Sequence, residues 1–515
     1  MIRRLFLPGL VLLTCAVYAQ TASFDFIHRD DPVFIVTNPY VQEGLSWKSI
    51  RWAFEADLAY PSGDIDYWQP VTILSRLLDV ELHGLDPSGH HWTNVILHAA
   101  NVILFFMLLR RLTNRPLPSA FAAAMFAVHP MHAASVAWVT ERKDVLSLFF
   151  GLIALSSWID FVRTRQKSCY AIAFVSFVLS LMSKPLMIPL PVLMLLVLVW
   201  PAGLIPDPGR FRNWLNPALR ILPFCALSTA SFFITLRSQP SELHSVDPMA
   251  RLANIIVAPA TYLGRLFAPF SLSCYYPFPD RIHSGAIVLA SILLLLAITA
   301  AAIMLARSKP CIFTGWFWFI GAIMPATIAT TREATANRFT YLPYLGLYMM
   351  ISWLAADLAA SWRIRKGIVT GAAGSALLLL AILGHAETAH WKNSFTLFEQ
   401  ALIVNPDNYF AHQNLGVAFF NIEDYARARL EFQEALRIRP SFAPIINNLG
   451  RAETMSGNLR EAEAHYREAI RLEPDFLTAY RNLEELLLMS GRDTEAEKVH
   501  GEILRTKGRA ATADE

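Results

Sequence analysis

A long succession of apolar runs, followed by a polar segment that repeats itself every 34 residues, leaves this chain few ways to fold. A helix that crosses a bilayer needs about 20 mostly apolar residues. Inside lipid only helices and closed barrels satisfy their own backbone polar groups. The runs lie at 5–21, 92–109, 117–130, 144–162, 169–187, 188–204, 219–236, 284–306, 311–329, 339–360 and 367–385. The chain carries 17% charged residues, against about 25% in soluble domains, and the shortage falls before residue 385. The expectation is an all-α protein. A polytopic membrane domain with about 11 spans covers 1–390, repeats cover 391–505, and a disordered tail covers 506–515.

Lys and Arg favour the cytoplasmic side of a span. Arg3 and Arg4 precede the first run, so the chain is expected to start inside. Alternation then puts Arg110, Arg111 and Arg115 inside, as it does Arg163, Arg165 and Lys167; Arg210, Arg212 and Arg220; Arg307 and Lys309; and Arg363, Arg365 and Lys366. Eleven spans leave the repeats outside. Segment 250–275 is broken by Pro259 and Pro269 and is read as an outer-leaflet or re-entrant helix, because a span there would invert every later basic loop. Val17-Tyr18-Ala19 has the look of a signal-peptidase site, but the outer loop at 22–90 needs an anchor, so the first run is read as a retained span. Within that loop, Trp47, Ile50, Arg51 and Phe54, then Leu74, Leu77, Leu78 and Leu82, have helical spacing and suit interfacial helices.

Beyond the last run, Pro406, Pro440 and Pro474 recur at a 34-residue period, as do Asn414, Asn448 and Asn482, and Ala428, Ala462 and Ala496. That period marks tetratricopeptide helix–turn–helix units. Three full repeats follow a degenerate leading one and imply a protein or peptide partner. Asn414, Asn448 and Asn482 are candidates for an acceptor-peptide groove, with inter-repeat packing as the alternative.

The net charge of +3 gives no reason to expect nucleic acid. The five cysteines form no CxxC pair. There is no phosphate-cradling glycine loop, no HExxH and no Gly-x-Ser-x-Gly. Polar groups concentrate in the outer loops instead: Asp30 and Asp31, Asp64 and Asp66, His90 and His91, His129 and His132, Glu141 to Asp144, Lys184, and Arg332 to Arg338. An acid at the membrane surface suits single-displacement glycosyl transfer, taking the proton of an attacking hydroxyl while phosphate leaves the sugar. Cations must then meet the leaving phosphate. Asp30 and Asp31 are the candidate bases, and Arg338, Lys184, Arg142 and Lys143 the candidate phosphate partners. His91, His129, His132 and Glu141 are further site candidates. Each has a plainer alternative. Asp30-Asp31-Pro32 reads as a solvated turn, Glu141 to Asp144 as a solvated helix cap, and Lys184 and Arg338 as interface snorkels. His91, Asn94, His98 and Asn101 form one helix stripe that suits interhelical hydrogen bonds. No metal is assigned. Paired acids could hold a divalent ion, whereas His129 and His132 as zinc ligands lack a third ligand of suitable spacing.

Together these motifs resemble a known family. They are Asp30-Asp31-Pro32 with Asn38-Pro39; Trp68-Gln69-Pro70; Gly84-Leu85-Asp86-Pro87 leading to Gly89-His90-His91-x-Thr93-Asn94-x-x-x-His98; His129-Pro130-x-His132 running into Ala137-Trp138-Val139 and Glu141-Arg142-Lys143-Asp144; Ser183-Lys184-Pro185; and Arg338-Phe339-Thr340-Tyr341-Leu342-Pro343. The chain is similar to the transmembrane and tetratricopeptide-repeat-containing mannosyltransferases and their bacterial relatives. The resemblance implies a type-C glycosyltransferase fold, a polyprenyl-phosphate sugar donor with no further cofactor, and transfer of mannose or another hexose to Ser or Thr of proteins outside the cytoplasm. For a bacterial relative it implies the inner membrane, with site and repeats on the periplasmic side. It also implies that an acid of the first outer loop, Asp30 or Asp31, is the catalytic base. Gln69 stands where relatives tend to have His, and Asn337 where they tend to have Asp. The competing expectation is a non-catalytic scaffold whose repeats recruit envelope proteins. A transporter is disfavoured by the lack of an inverted repeat of broken spans.

Overall fold

A computed structural model of the protein describes residues 6–55, 68–205, 211–238, 247–278, 283–329 and 333–513. Arg3, Arg4, Asp64, Asp66, Arg210 and Arg332 lie outside them. Two compact units divide the chain, Met1–Asn393 and Ser394–Glu515. Among the described residues the regular structure is helical, and the one pairing of extended backbone is an isolated bridge between Tyr276 and Thr335.

Among the described residues of the first unit, 8 helices are long and apolar enough to cross a membrane, or 9 if the pair Pro116–Val128 and Pro130–Ala137, bent by 55°, is one span. The protein is thus an integral membrane protein. All the apolar runs form helices, but three fall short of spanning length. Proline is the reason. Pro130 breaks one run, and Pro185 and Pro189 stand in the break between Lys167–Leu181 and Leu190–Val199. Segment 250–275 forms the helix Pro248–Phe267, which is not among the eight.

The helix ends meet in two sets. At one, Arg111 pairs with Asp160 at 3.0 Å, while Arg115 and Lys309 grip Asp357 at 2.9 and 3.0 Å. Several of the basic loops therefore share an end. At the other, the backbone N–H of Asp25 donates to Lys392 O (2.9 Å), that of Val71 to Met182 O (3.1 Å) and that of Ala334 to Tyr276 O (2.9 Å). This second end holds the polar motifs.

The two predicted loop helices are Trp47–Glu55 and Pro70–His83. The leucines of the second divide. Leu77 is buried, whereas Leu78 and Leu82 are exposed. Thr72, Arg76 and Asp79 are buried, so a polar face of this helix turns into the protein.

The second unit starts at Ser394, three residues beyond the expected boundary, because Trp391 stacks on Trp138 of the membrane unit (5.6 Å). The inner helices Tyr409–Asn421, Ala443–Met455 and Leu477–Met489 start 34 residues apart, each followed by a partner helix. Gly416 and Gly450 lie against the Phe432 and Tyr466 rings, where a Cβ would come within 2.6 and 2.8 Å. The expected coil from 506 is instead the end of helix Asp493–Ala513, in keeping with the strong helix propensity of Ala, Lys and Arg.

Candidate functional site

Pro32 opens a wide π-helical turn over Pro32–Val36, fixing the chain direction just after the two aspartates. Asp31 is fully buried. Its Oδ2 accepts the N–H of Ile27 (2.8 Å), and its Oδ1 accepts both the N–H (3.1 Å) and the hydroxyl of Thr140. Burial pushes its carboxyl up to about 6, with the Thr140 and Ile27 bonds acting the other way. Asp30 is half-buried. The solvated-turn alternative fails for Asp31, whose two oxygens are committed to protein donors, and leaves Asp30 as the carboxylate open to an incoming group.

Thr140 leads directly into the charged run. Lys184 Nζ donates to Glu141 Oε2 (2.9 Å) and to Asp144 Oδ1 (2.7 Å). Lys143 Nζ lies 3.5 Å and Arg338 Nε 3.3 Å from Glu141 Oε1, and Arg338 also pairs with Glu333. Three cations from three separate chain segments therefore converge on one carboxylate. Glu141, Arg142, Lys143 and Asp144 are all buried, which overturns their reading as a solvated cap. Lys184 is only 7% exposed and holds two carboxylates, so it is not a snorkel. In so dry a place each charge acts strongly on its neighbours.

Trp138 floors this cluster. The Arg29 guanidinium lies 4.7 Å and that of Arg338 5.8 Å from its ring centre. Cation–π contact of this kind fixes where a guanidinium rests. Arg29, Trp138 and Thr140 were given no role from the sequence. Arg29 and Thr140 adjoin Asp30 and Glu141 in the chain, and Trp138 stands in the Ala137-Trp138-Val139 motif of the family resemblance; those are the signals that could have found them.

Arg142 departs from its expected phosphate role. It is fully buried, ion-paired with Asp79, and donates to Asn94 Oδ1 (2.8 Å), His90 O (2.7 Å) and Ser75 O (3.3 Å). It clamps the inner face of Pro70–His83 to the helix Pro87–Thr113. Beside it, Arg76 donates to Thr140 O (2.9 Å). Burial, then the Arg142 charge, lowers the Arg76 guanidinium to about 10.

The candidate histidines have hydrogen-bond neighbours within the fold. His91 Nε2 lies 3.4 Å from Asp25 O, His129 Nε2 3.0 Å from Leu266 O, and His132 Nε2 2.8 Å from the Tyr348 hydroxyl. Further along the His91 stripe, His98 Nδ1 lies 2.8 Å from the Tyr341 hydroxyl and Asn101 donates to Val145 O (2.8 Å). These are the interhelical bonds of the plainer alternative. No three His, Cys, Asp or Glu side chains gather in metal-binding fashion among the described residues.

In the repeats, Asn414 donates to Phe410 O of its own helix (2.8 Å) and Asn482 donates to Asn447 Oδ1 of the preceding repeat (2.7 Å). Asn448 is half-buried. Asn482 thus bonds across a repeat boundary, as the packing alternative anticipates, while Asn414 bonds within its own helix.

Comparison with known proteins agrees with this layout. Residues 80–213 match the family described as dolichyl-phosphate-mannose-protein mannosyltransferase, and residues 393–441 and 447–510 match the tetratricopeptide repeat. A Mus musculus protein O-mannosyl-transferase, TMTC2, is 34% identical over 30% of this chain and 19% of its own length. A Caenorhabditis elegans protein O-mannosyl-transferase is 25% identical over 79% of this chain and 59% of its own. The chain thus spans less than two thirds of these relatives. Among solved structures, the Archaeoglobus fulgidus oligosaccharyltransferase covers 83% of this chain and 58% of its own at 14% identity, with a TM-score of 0.41. The family resemblance read from the motifs is borne out by the two family matches and the named relatives.

Proposed function

We propose that the protein is a membrane glycosyltransferase that moves a hexose, mannose or a near relative, from a polyprenyl-phosphate carrier to Ser or Thr hydroxyls of proteins on the outer face. In a bacterial inner membrane that face is periplasmic. The observation that carries this reading is the convergence of Lys143, Lys184 and Arg338 on Glu141, the residue next to the Thr140 that binds Asp31. An acid and a cation cluster then sit together at the end of a membrane bundle.

The acceptor hydroxyl oxygen attacks the anomeric carbon. The C–O bond to phosphate breaks, and the electron pair leaves with the phosphate. The hydroxyl proton passes to the Asp30 carboxylate. Asp31 positions that turn through Thr140. Lys184, Lys143 and Arg338 balance the charge growing on the leaving phosphate. Arg142 holds the scaffold beneath. A single displacement of this kind inverts the anomeric centre. The repeats take the acceptor polypeptide, and burial of the lipid tail in the bilayer keeps the sugar at the loop.

The test uses the full chain in liposomes with polyprenyl-phosphate mannose and Ser/Thr-containing proteins, read by glycopeptide mass spectrometry. The variant with both Asp30→Asn and Asp31→Asn is expected to lose transfer while the repeat unit still binds its protein partners. Full transfer by that variant would sink the catalytic assignment and leave the scaffold reading.

A further inference from the structure

Gln69 is 1% exposed, and neither its Oε1 nor its Nε2 has a hydrogen-bond partner. It stands at the N-terminus of helix Pro70–His83, yet its side chain does not cap that helix. A buried amide left unbonded at both ends is costly, because each atom has given up its water without a replacement. Such a cost persists where a ligand supplies the missing bonds.

The backbone says where this amide sits. Two residues on, Val71 N–H donates to Met182 O (3.1 Å), and the Thr72 hydroxyl donates to Ser183 O (2.9 Å). Gln69 is thereby tied to the segment that ends in Lys184, whose Nζ holds Glu141 and Asp144. From the same helix, Arg76 reaches Thr140 O. Gln69 thus stands two and three residues ahead of the contacts that join its helix to the segment carrying Lys184.

The chemistry of the two orphan atoms narrows the ligand. Oε1 needs a donor and Nε2 needs an acceptor. A phosphate at neutral pH offers acceptors and scarcely a donor. An ammonium offers donors alone. A hydroxyl offers both, and adjacent sugar hydroxyls offer them at neighbouring positions. We propose that Gln69 is a specificity-determining residue that binds hydroxyls of the donor sugar, while Lys184 and its companions hold the phosphate. This deepens the glycosyltransferase reading and rests on it for the identity of the donor. A site built to bond a hydroxyl discriminates strongly against a sugar lacking it at that position, because its own polar groups are then left unpaired.

The experiment compares equilibrium binding of polyprenyl-phosphate mannose, glucose and galactose, and of sugar-free polyprenyl phosphate, to the purified full chain. Wild type, Gln69→Ala and Gln69→Met are tested. Wild type is expected to bind at least one sugar-bearing lipid more tightly than the bare lipid phosphate. Both variants should lose about tenfold of that preference and keep their affinity for the bare lipid. Without ligand, Gln69→Met removes two unpaired polar atoms at little cost in volume, so its Tm should match or exceed wild type. Equal binding of sugar-bearing and bare lipid by wild type overturns the proposal. So does an unchanged preference in both variants, or a Tm of Gln69→Met well below wild type, since that would mean the amide serves the fold. Transfer is measured alongside. A chain that binds with the expected preference but transfers no sugar would overturn the catalytic reading and leave the Gln69 assignment standing.

Discussion

Thr140 binds Asp31 through two donors at once, its backbone N–H at 3.1 Å and its hydroxyl, both onto Oδ1. This joins the turn after the first span to the start of helix Arg142–Thr164 across 109 residues of chain. The two acidic motifs of the sequence are one structural object.

That contact gives Asp31 a signature in pH. Burial holds its carboxyl at about 6, above an ordinary value of 3.8. The fold therefore favours the protonated form. Its stabilising contribution is fully present below about pH 4, falls as pH rises to 6, and is flat beyond. Asp31→Asn imitates the protonated acid and escapes this loss. The Tm of wild type minus that of Asp31→Asn should fall by an amount equivalent to about 1–3 kcal/mol between pH 4 and 7. Thermal unfolding of the full chain in detergent measures it, and a gap that widens with pH would refute the assignment.

Lys184 is the counter-charge of two buried carboxylates. Lys184→Met should cost about 3–5 kcal/mol, because it strands Glu141 and Asp144 in a dry site. Adding Asp144→Asn should recover part of that loss, though transfer stays impaired. Denaturant unfolding of the single and double variants checks the recovery; strictly additive losses would mean that the two side chains are uncoupled.

Arg142 and Asp79 form a buried pair. Either Arg142→Met or Asp79→Asn alone should destabilise strongly, whereas the double variant should lose less than the sum, with a coupling of about 0.5–3 kcal/mol. The same variants separate clamp from substrate contact. If Arg142→Met left Tm unchanged and raised KM alone, the residue would be a phosphate ligand after all.

The last apolar helix, Lys366–Ala389, is pinned at Gly384, where a Cβ would lie 2.3 Å from Val128 O. Backbone cannot yield as a flexible side chain does. Gly384→Ala should destabilise by about 1–3 kcal/mol. Gly371→Ala, on the same helix with nothing within 4 Å, should be neutral or slightly stabilising. Parallel Tm measurements decide, and equal effects would argue against the close crossing.

The repeat unit was legible almost residue by residue, since its contacts are between sequence neighbours and the 34-residue period prints them directly. The membrane helices were legible as apolar runs. Their lengths were less so, because hydropathy does not register the break between Leu181 and Leu190, where Pro185 and Pro189 stand. The polar motifs could be placed at one end of the bundle by the basic loops alone.

What the sequence by itself determined is therefore class and composition: a helical membrane unit, a repeat unit, and which polar residues stand near the surface. These follow from solvation and local periodicity, which act along the chain. Only the tertiary structure decided how those residues divide their work. Asp31 and Arg142 are occupied inside the fold, Asp30 is left half-open, and Lys143, Lys184 and Arg338 close on Glu141 from three segments. Partner choice among buried charges depends on distances between residues far apart in sequence, and a charge written in the sequence carries no record of which counter-charge the fold will bring to it.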